Sequence, residues 1–191
     1  MTILATYKHT FRLLISPEKE WISILDHVNI KSYKLMFVLI VPLAFIMSAC
    51  NFIGFMIFEN NPADHVDMFL FSSITTFILS ITSIYISSLV IRPFTVLPTK
   101  KERFERSFVL VAFSYTPGFI FNSIAFLFPT INYLTIFGLY SFYILYKGIT
   151  PILNVPDRRR SGYFTFILIG LLSIYAVMGA LFLGTANFLG F

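Results

Sequence analysis

Pro117, Gly118 and Asn122 lie together in the stretch SYTPGFIFNS and combine what a binding site inside an apolar helix requires. Proline has no N–H to donate, and its ring crowds the carbonyl of Phe113 four residues back. Gly118 adds backbone freedom at the same place. Asn122 brings an amide about one turn later. A broken helix with freed carbonyls beside an amide can bind a ligand at mid-membrane. The same residues also fit a plain kink whose freed groups are met by neighbouring helices.

A second group is Ser72, Thr76, Ser80, Ser83 and Ser87, whose spacing places the hydroxyls on one helix face. They suit either the polar lining of a pore or groove, or close helix packing with hydroxyls bonding across the gap. Gly170, Ser173, Ala176, Ala180 and Gly184 form a similar small-residue stripe, expected to be a close helix contact. Glu59, Asp64, His65 and Asp67 share one polar segment. Such ligands can hold a divalent metal, but the spacing matches no metal motif, and a solvated acidic loop is the commoner meaning.

Other chemistry is poorly supported. No Asp, Glu, Lys, Arg or His lies at the centre of an apolar run, where an ion-coupled carrier would place one. His9, His27 and His65 all fall outside those runs, so no Ser-His-Asp or Cys-His set is expected. No glycine-rich phosphate loop is present. The lone Cys50 makes neither an internal disulfide nor a cysteine metal site, and reads as a packing residue. Catalytic residues, cofactor and metal are therefore all expected to be none, and the protein is not expected to be an enzyme.

The elements that position these residues follow from composition. The chain is 57% hydrophobic and 12% charged, with 24 phenylalanines and a mean hydropathy of +0.82. Five apolar runs are expected to cross a membrane: about 35–58, 68–91, 107–128, 132–149 and 163 to at least 184. Only Pro129 to Asn132 separate the third and fourth, so these must form a tight antiparallel hairpin. The expected fold class is all-α, a polytopic integral membrane bundle of five transmembrane helices. Residues 1–34 form an N-terminal segment and 35–191 the membrane domain.

The N-terminal segment is too charged for a secretory signal. Ser16-Pro17 is a helix start, with Glu18 and Glu20 in the first turn, where the helix dipole favours acids. Trp21, Ile24, Leu25 and Val28 then form one apolar face of an amphipathic helix. That face suits the membrane interface, with Trp21 as anchor, and suits packing on the bundle equally well.

All 14 lysines and arginines fall before the first run, between the second and third, or between the fourth and fifth. The positive-inside rule then sets the N-terminus in the cytoplasm and the C-terminus outside. The cytoplasmic side carries these 14 with six acidic residues, a net +8, and the outside only three acidic residues. Arg158, Arg159 and Arg160 hold the last joint inside. They are also candidates to contact anionic lipid or an acidic partner. The net charge of +5 is thus a matter of topology, and nucleic acid is not an expected partner.

With these features in place, the chain resembles the Yip (Ypt/Rab-interacting protein) membrane domain family in its short bacterial form. The resemblance rests on LLISPEKEWISIL, FVLVAFSYTPGFIFNSI with Tyr115 and Pro117, and IFGLYSFYILYKGITPILNVPDRRRSGYF. It implies a polytopic helical domain with no assigned catalytic residues. Eukaryotic members are associated with Rab-type GTPases and traffic between endoplasmic reticulum and Golgi. This sequence lacks their long hydrophilic N-terminal region and DLYGP motif, which points to a bacterial cytoplasmic membrane instead. The expected function is non-enzymatic: organising membrane or recruiting partners at the cytoplasmic face, with membrane lipids as partners and homo-oligomerisation left open. The alternative is a small permease, channel or lipid transporter with its site near Pro117, Gly118 and Asn122.

Overall fold

The computed structural model describes residues 3–26, 31–59 and 61–188. Every regular element among them is helical. Two short helices, α1 (Ile3–Ile15) and α2 (Pro17–Asp26), precede five helical spans. The spans are Ser32–Phe58, Pro62–Phe94, Lys100–Leu127, Pro129–Leu153 and Asp157–Leu181, and the α-helix of the fifth runs Arg160–Phe188. Each is long and apolar enough to cross a membrane. Large apolar side chains such as Phe45, Ile57, Ile74 and Phe166 face outward. Lipid tails, unlike water, carry no hydrophobic penalty for such a surface.

Span three is the central helix. Of its apolar window 67% is buried, against 17–39% for the other four. Ser107–Ser114 are buried without a break, as expected of a helix surrounded on all sides. The helix breaks at Tyr115 (φ −81, ψ −5), between Lys100–Ser114 and Thr116–Leu127. Pro117 falls in the first turn of the second half, where a missing N–H costs little. Spans one and three touch backbone to backbone at Gly54. A Cβ there would stand 3.0 Å from the carbonyl carbon of Phe126 and 3.3 Å from Cα of Leu127.

Span four looked short, because 18 residues of α-helix (132–149) reach only about 27 Å. Its first part, Pro129–Leu139, is instead 3₁₀-helical on either side of a kink at Ile131 (φ −110, ψ 30), and α-helix follows over Tyr140–Leu153. At about 2.0 Å rise per 3₁₀ residue, the same 18 residues reach about 31 Å, enough for the hydrocarbon core. Span one opens with a π-helical turn, Met36–Ile40, before Val41–Phe58. Pro42 has no N–H for the carbonyl of Val38, and the Tyr7 hydroxyl of α1 donates to that oxygen at 2.8 Å.

The N-terminal segment resolves the choice left by the sequence. Trp21 and Ile24 are fully buried, so α2 packs on the bundle. Indole Nε1 donates to the carbonyl of Ile144 at 3.0 Å. Gly148 makes room for the ring, since a Cβ there would lie 2.7 Å from Trp21 Cε2. Glu18 pairs with Lys147 of span four, and Glu20 with His9 of α1. Val28, the last member of the expected face, lies outside the described residues. The apolar stripe that does face outward belongs to α1, a helix the sequence reading did not expect. Ile3, Leu4, Phe11 and Ile15 are exposed, while Thr6, Thr10 and Leu13 are buried.

The expected contact stripe of span five holds at Gly170 but not along its length. The span-five residues Ala176, Ala180 and Gly184 face outward, and nothing lies within 4 Å of a Cβ placed on Gly184. The close contact of span five is at Gly170, where a Cβ would stand 2.7 Å from Val90 Cγ1 of span two. The hydrophobic period alone could not tell the inward face from the outward one, because span five is apolar all round.

Candidate functional site: an uncharged intramembrane cavity

The break in span three opens a cavity of about 290 Å³. Tyr115, Gly118 and Asn122 line it from span three, and Ser80 and Ser83 from span two. Span four contributes Thr135 and Ser141, and span five contributes Tyr175. A second cavity of about 540 Å³ shares Ser80, Ser83 and Tyr175 as a wall. Asn51, Thr76 and Phe126 are among its other boundaries.

Of the three residues singled out by sequence, Gly118 and Asn122 come together in the first cavity. Pro117 does not. It lines a separate apolar pocket with Leu14, Ile120 and Tyr140, because its ring and the Asn122 side chain leave the helix on different faces. Gly118 N–H donates to Ser141 Oγ at 3.1 Å, so a neighbouring helix meets the group that the break released. Gly118 also lets the chains approach: a Cβ on Gly138 would stand 3.5 Å from Gly118 Cα.

The span-two hydroxyls divide between the two roles. Ser80 donates to the carbonyl of Thr76 at 2.6 Å and Ser83 to that of Ser80 at 2.9 Å. Both still form part of the cavity wall. Ser87 is fully buried deeper in the bundle. There the Tyr115 hydroxyl lies beside those of Ser87 and Tyr175, and the Tyr115 and Tyr175 rings stack with centroids 6.1 Å apart. Neither Ser87 Oγ nor the Tyr115 hydroxyl has a hydrogen bond of ordinary geometry. Asn51 is buried, with Nδ2 3.3 Å from Thr76 Oγ1, and its Oδ1 accepts nothing. An unmet buried oxygen such as Asn51 Oδ1 costs about 1–3 kcal/mol unless a bound molecule or ordered water meets it.

The chemistry available is that of hydroxyls, amides and aromatic rings. Among the described residues, no Asp, Glu, Lys, Arg or His lines either cavity. Sequence reasoning missed Tyr175, Ser141 and Asn51. Asn51 was visible as a lone amide within an apolar run, whereas Ser141 and Tyr175 reach the site only through tertiary packing.

At the basic end of the bundle the three arginines separate. Arg158 and Arg159 are exposed, with no ion pair among the described residues. Arg160 instead lies with its guanidinium carbon 4.7 Å from the Tyr146 ring centroid and its Nη1 3.6 Å from Asp157 Oδ1. At the opposite end, Glu59, Asp64, His65 and Asp67 do not converge, and no group of three potential metal ligands occurs among the described residues. The His65 ring instead lies 6.3 Å from that of Phe69.

Four apolar helices around a central broken one, with an uncharged polar cavity at the break, define a polytopic α-helical membrane protein. The family follows from a comparison of the whole chain. A family model described as the Yip1 domain matches residues 11–190, nearly the full length, and the chain belongs to that family. No match was found among curated proteins or solved structures.

Proposed function

We propose that this Yip-type membrane protein handles lipid without catalysing a reaction, holding the uncharged polar segment of a membrane lipid in the cavity at the break of span three. The observation that carries this reading is the junction of Asn122 with Ser80 and Ser83 around one space. An ion pathway would require charges, and none line it. Hydroxyls and an amide instead suit glycerol, ester or alcohol groups, while the apolar walls suit attached chains. Small transport or lipid transfer is the activity that such a site serves. The positive-inside pattern supports an orientation with both basic joints in the cytoplasm and the C-terminus outside.

The test is native mass spectrometry of the full chain released from its own membrane. Lipid should co-purify, and Asn122→Leu with Ser83→Ala should lower its occupancy about tenfold, as expected for losing one or two hydrogen bonds. Equal occupancy in a folded variant overturns the reading.

A second reading is recruitment of an acidic partner at the basic end. It is favoured by the exposure of Arg158 and Arg159 without ion pairs. Arg158→Gln with Arg159→Gln should abolish recovery of such a partner while leaving lipid in the cavity.

A further inference from the structure

We infer that Arg92, Lys100 and Arg103 form a binding site for a phosphate-type anion at the basic end of span two. The three line one pocket of about 310 Å³, with Leu89 and Pro93 as its apolar wall. This site is separate from the intramembrane cavity and from the Arg158–Arg160 joint, and it stands whether or not either of those readings holds.

The placement follows from local structure. The α-helix of span two ends at Ile91, and Arg92 opens the 3₁₀ turn Arg92–Phe94. Lys100 begins the helix of span three. Three-residue spacing brings Lys100 and Arg103 to the same helix face. At 100° per residue, Glu102 and Glu105 point well away from Lys100, and Glu102 acts on Arg106 instead. No ion pair among the described residues engages Arg92, Lys100 or Arg103. Arg103 Nε donates to the carbonyl of Leu97 at 2.5 Å, which fixes the guanidinium and leaves its terminal nitrogens for a ligand. The N-terminus of a 15-residue helix adds its partial positive charge beside Lys100.

The scaffold around the pocket is built. Thr95 Oγ1 and Ser107 Oγ are buried 2.8 Å apart, and Ser107 Oγ donates to the carbonyl of Arg103 at 2.8 Å. Val96 N–H donates to the carbonyl of Leu153 at 2.9 Å, tying the joint to the end of span four. The Tyr85 and Phe104 rings meet edge to face at 5.4 Å. Cations are thus held together against their mutual repulsion by packing, at the level where the apolar helix ends. Headgroup phosphates lie at that level, and free phosphate in the adjacent water carries the same chemistry.

The experiment uses the full chain in phosphatidylcholine nanodiscs doped with a minority of phosphatidylglycerol. Native mass spectrometry counts the retained anionic lipid, and a parallel arm compares thermal unfolding in inorganic phosphate and in chloride at equal ionic strength. Retention of phosphatidylglycerol assigns the site to a headgroup, whereas stabilisation by phosphate alone assigns it to the free anion. Binding should fall about fivefold for each cation removed. Lys100→Gln changes an exposed side chain and tests this without endangering the fold, and Arg92→Gln with Lys100→Gln should lower binding more than tenfold. Arg158→Gln with Arg159→Gln should leave it unchanged. The inference is overturned if neither probe binds above its neutral counterpart, if Lys100→Gln has no effect, or if the Arg158/Arg159 variant loses as much.

Discussion

Gly54→Ala is the sharpest test of the helix arrangement. The added methyl would collide with the carbonyl oxygen of Phe126 and stand 3.0 Å from its carbonyl carbon and 3.3 Å from Cα of Leu127. Non-bonded heavy atoms in good contact are about 3.5–4.0 Å apart, and the Phe126 oxygen lies far inside that limit, so spans one and three must separate by about an ångström or more. The obstructing atoms are backbone, so no rotamer change relieves the clash. Overpacking of this kind costs about 1–3 kcal/mol, and the rigid obstruction places this case at the upper end. At about 2–4 °C per kcal/mol for a chain of this size, Tm in detergent should fall by roughly 5–10 °C. Gly184→Ala is the control. Nothing lies within 4 Å of the added methyl, and alanine improves helix propensity, so Tm should hold or rise slightly. A Gly54→Ala protein as stable as wild type refutes the close approach. A Gly184→Ala protein that is strongly destabilised restores the span-five stripe as a contact.

Impermeant thiol reagents should fail to label cysteines placed at Thr99 or Ser161 in intact cells but label one at Asn61, and labelling at Ser161 contradicts the five-span orientation. Ser141→Ala leaves the Gly118 N–H without its acceptor and should cost about 1–3 kcal/mol in unfolding assays. Pro117→Ala should change stability by less than about 1 kcal/mol, because the proline sits in a first turn. The Lys147 hydrogen bond and charge hold the Glu18 carboxyl below its ordinary 4.5. The pair therefore contributes stability above the unfolded-state pKa and loses it as pH falls through the lower folded-state value. Unfolding monitored from pH 6 downward should show that loss, and Lys147→Met should remove it.

The number of spans was legible because unbroken apolar runs have one physical use at this length. The face of α2 was legible too, from the spacing of Trp21 and Ile24, but its destination was not: the acceptor at Ile144 and the gap at Gly148 lie more than 120 residues away. The stripe of α1 was present as Ile3, Phe11 and Ile15 at multiples of four, and a helical count would have found it. The 3₁₀ part of span four carried no signal, since its residues suit either helix. At the site, proline and glycine announced the break and Asn122 its amide. Ser141, Tyr175 and the choice of inward face depended on how the helices meet, which no local pattern encodes.

The high burial of span three bears on how the protein enters a membrane during synthesis. The windows of spans three and four are the least apolar of the five, and the two are joined by a tight turn. Spans one and two emerge from the ribosome first and are greasy enough to leave the translocon separately. Span three gains most from neighbours, yet those on one side of it, spans four and five, are not yet made when it emerges. Spans three and four should therefore wait at the translocon and move into lipid as a hairpin, with span five closing the bundle last. Truncation after Leu153 should then leave a species that inserts poorly and is cleared by membrane proteases, although four of its five crossings are present.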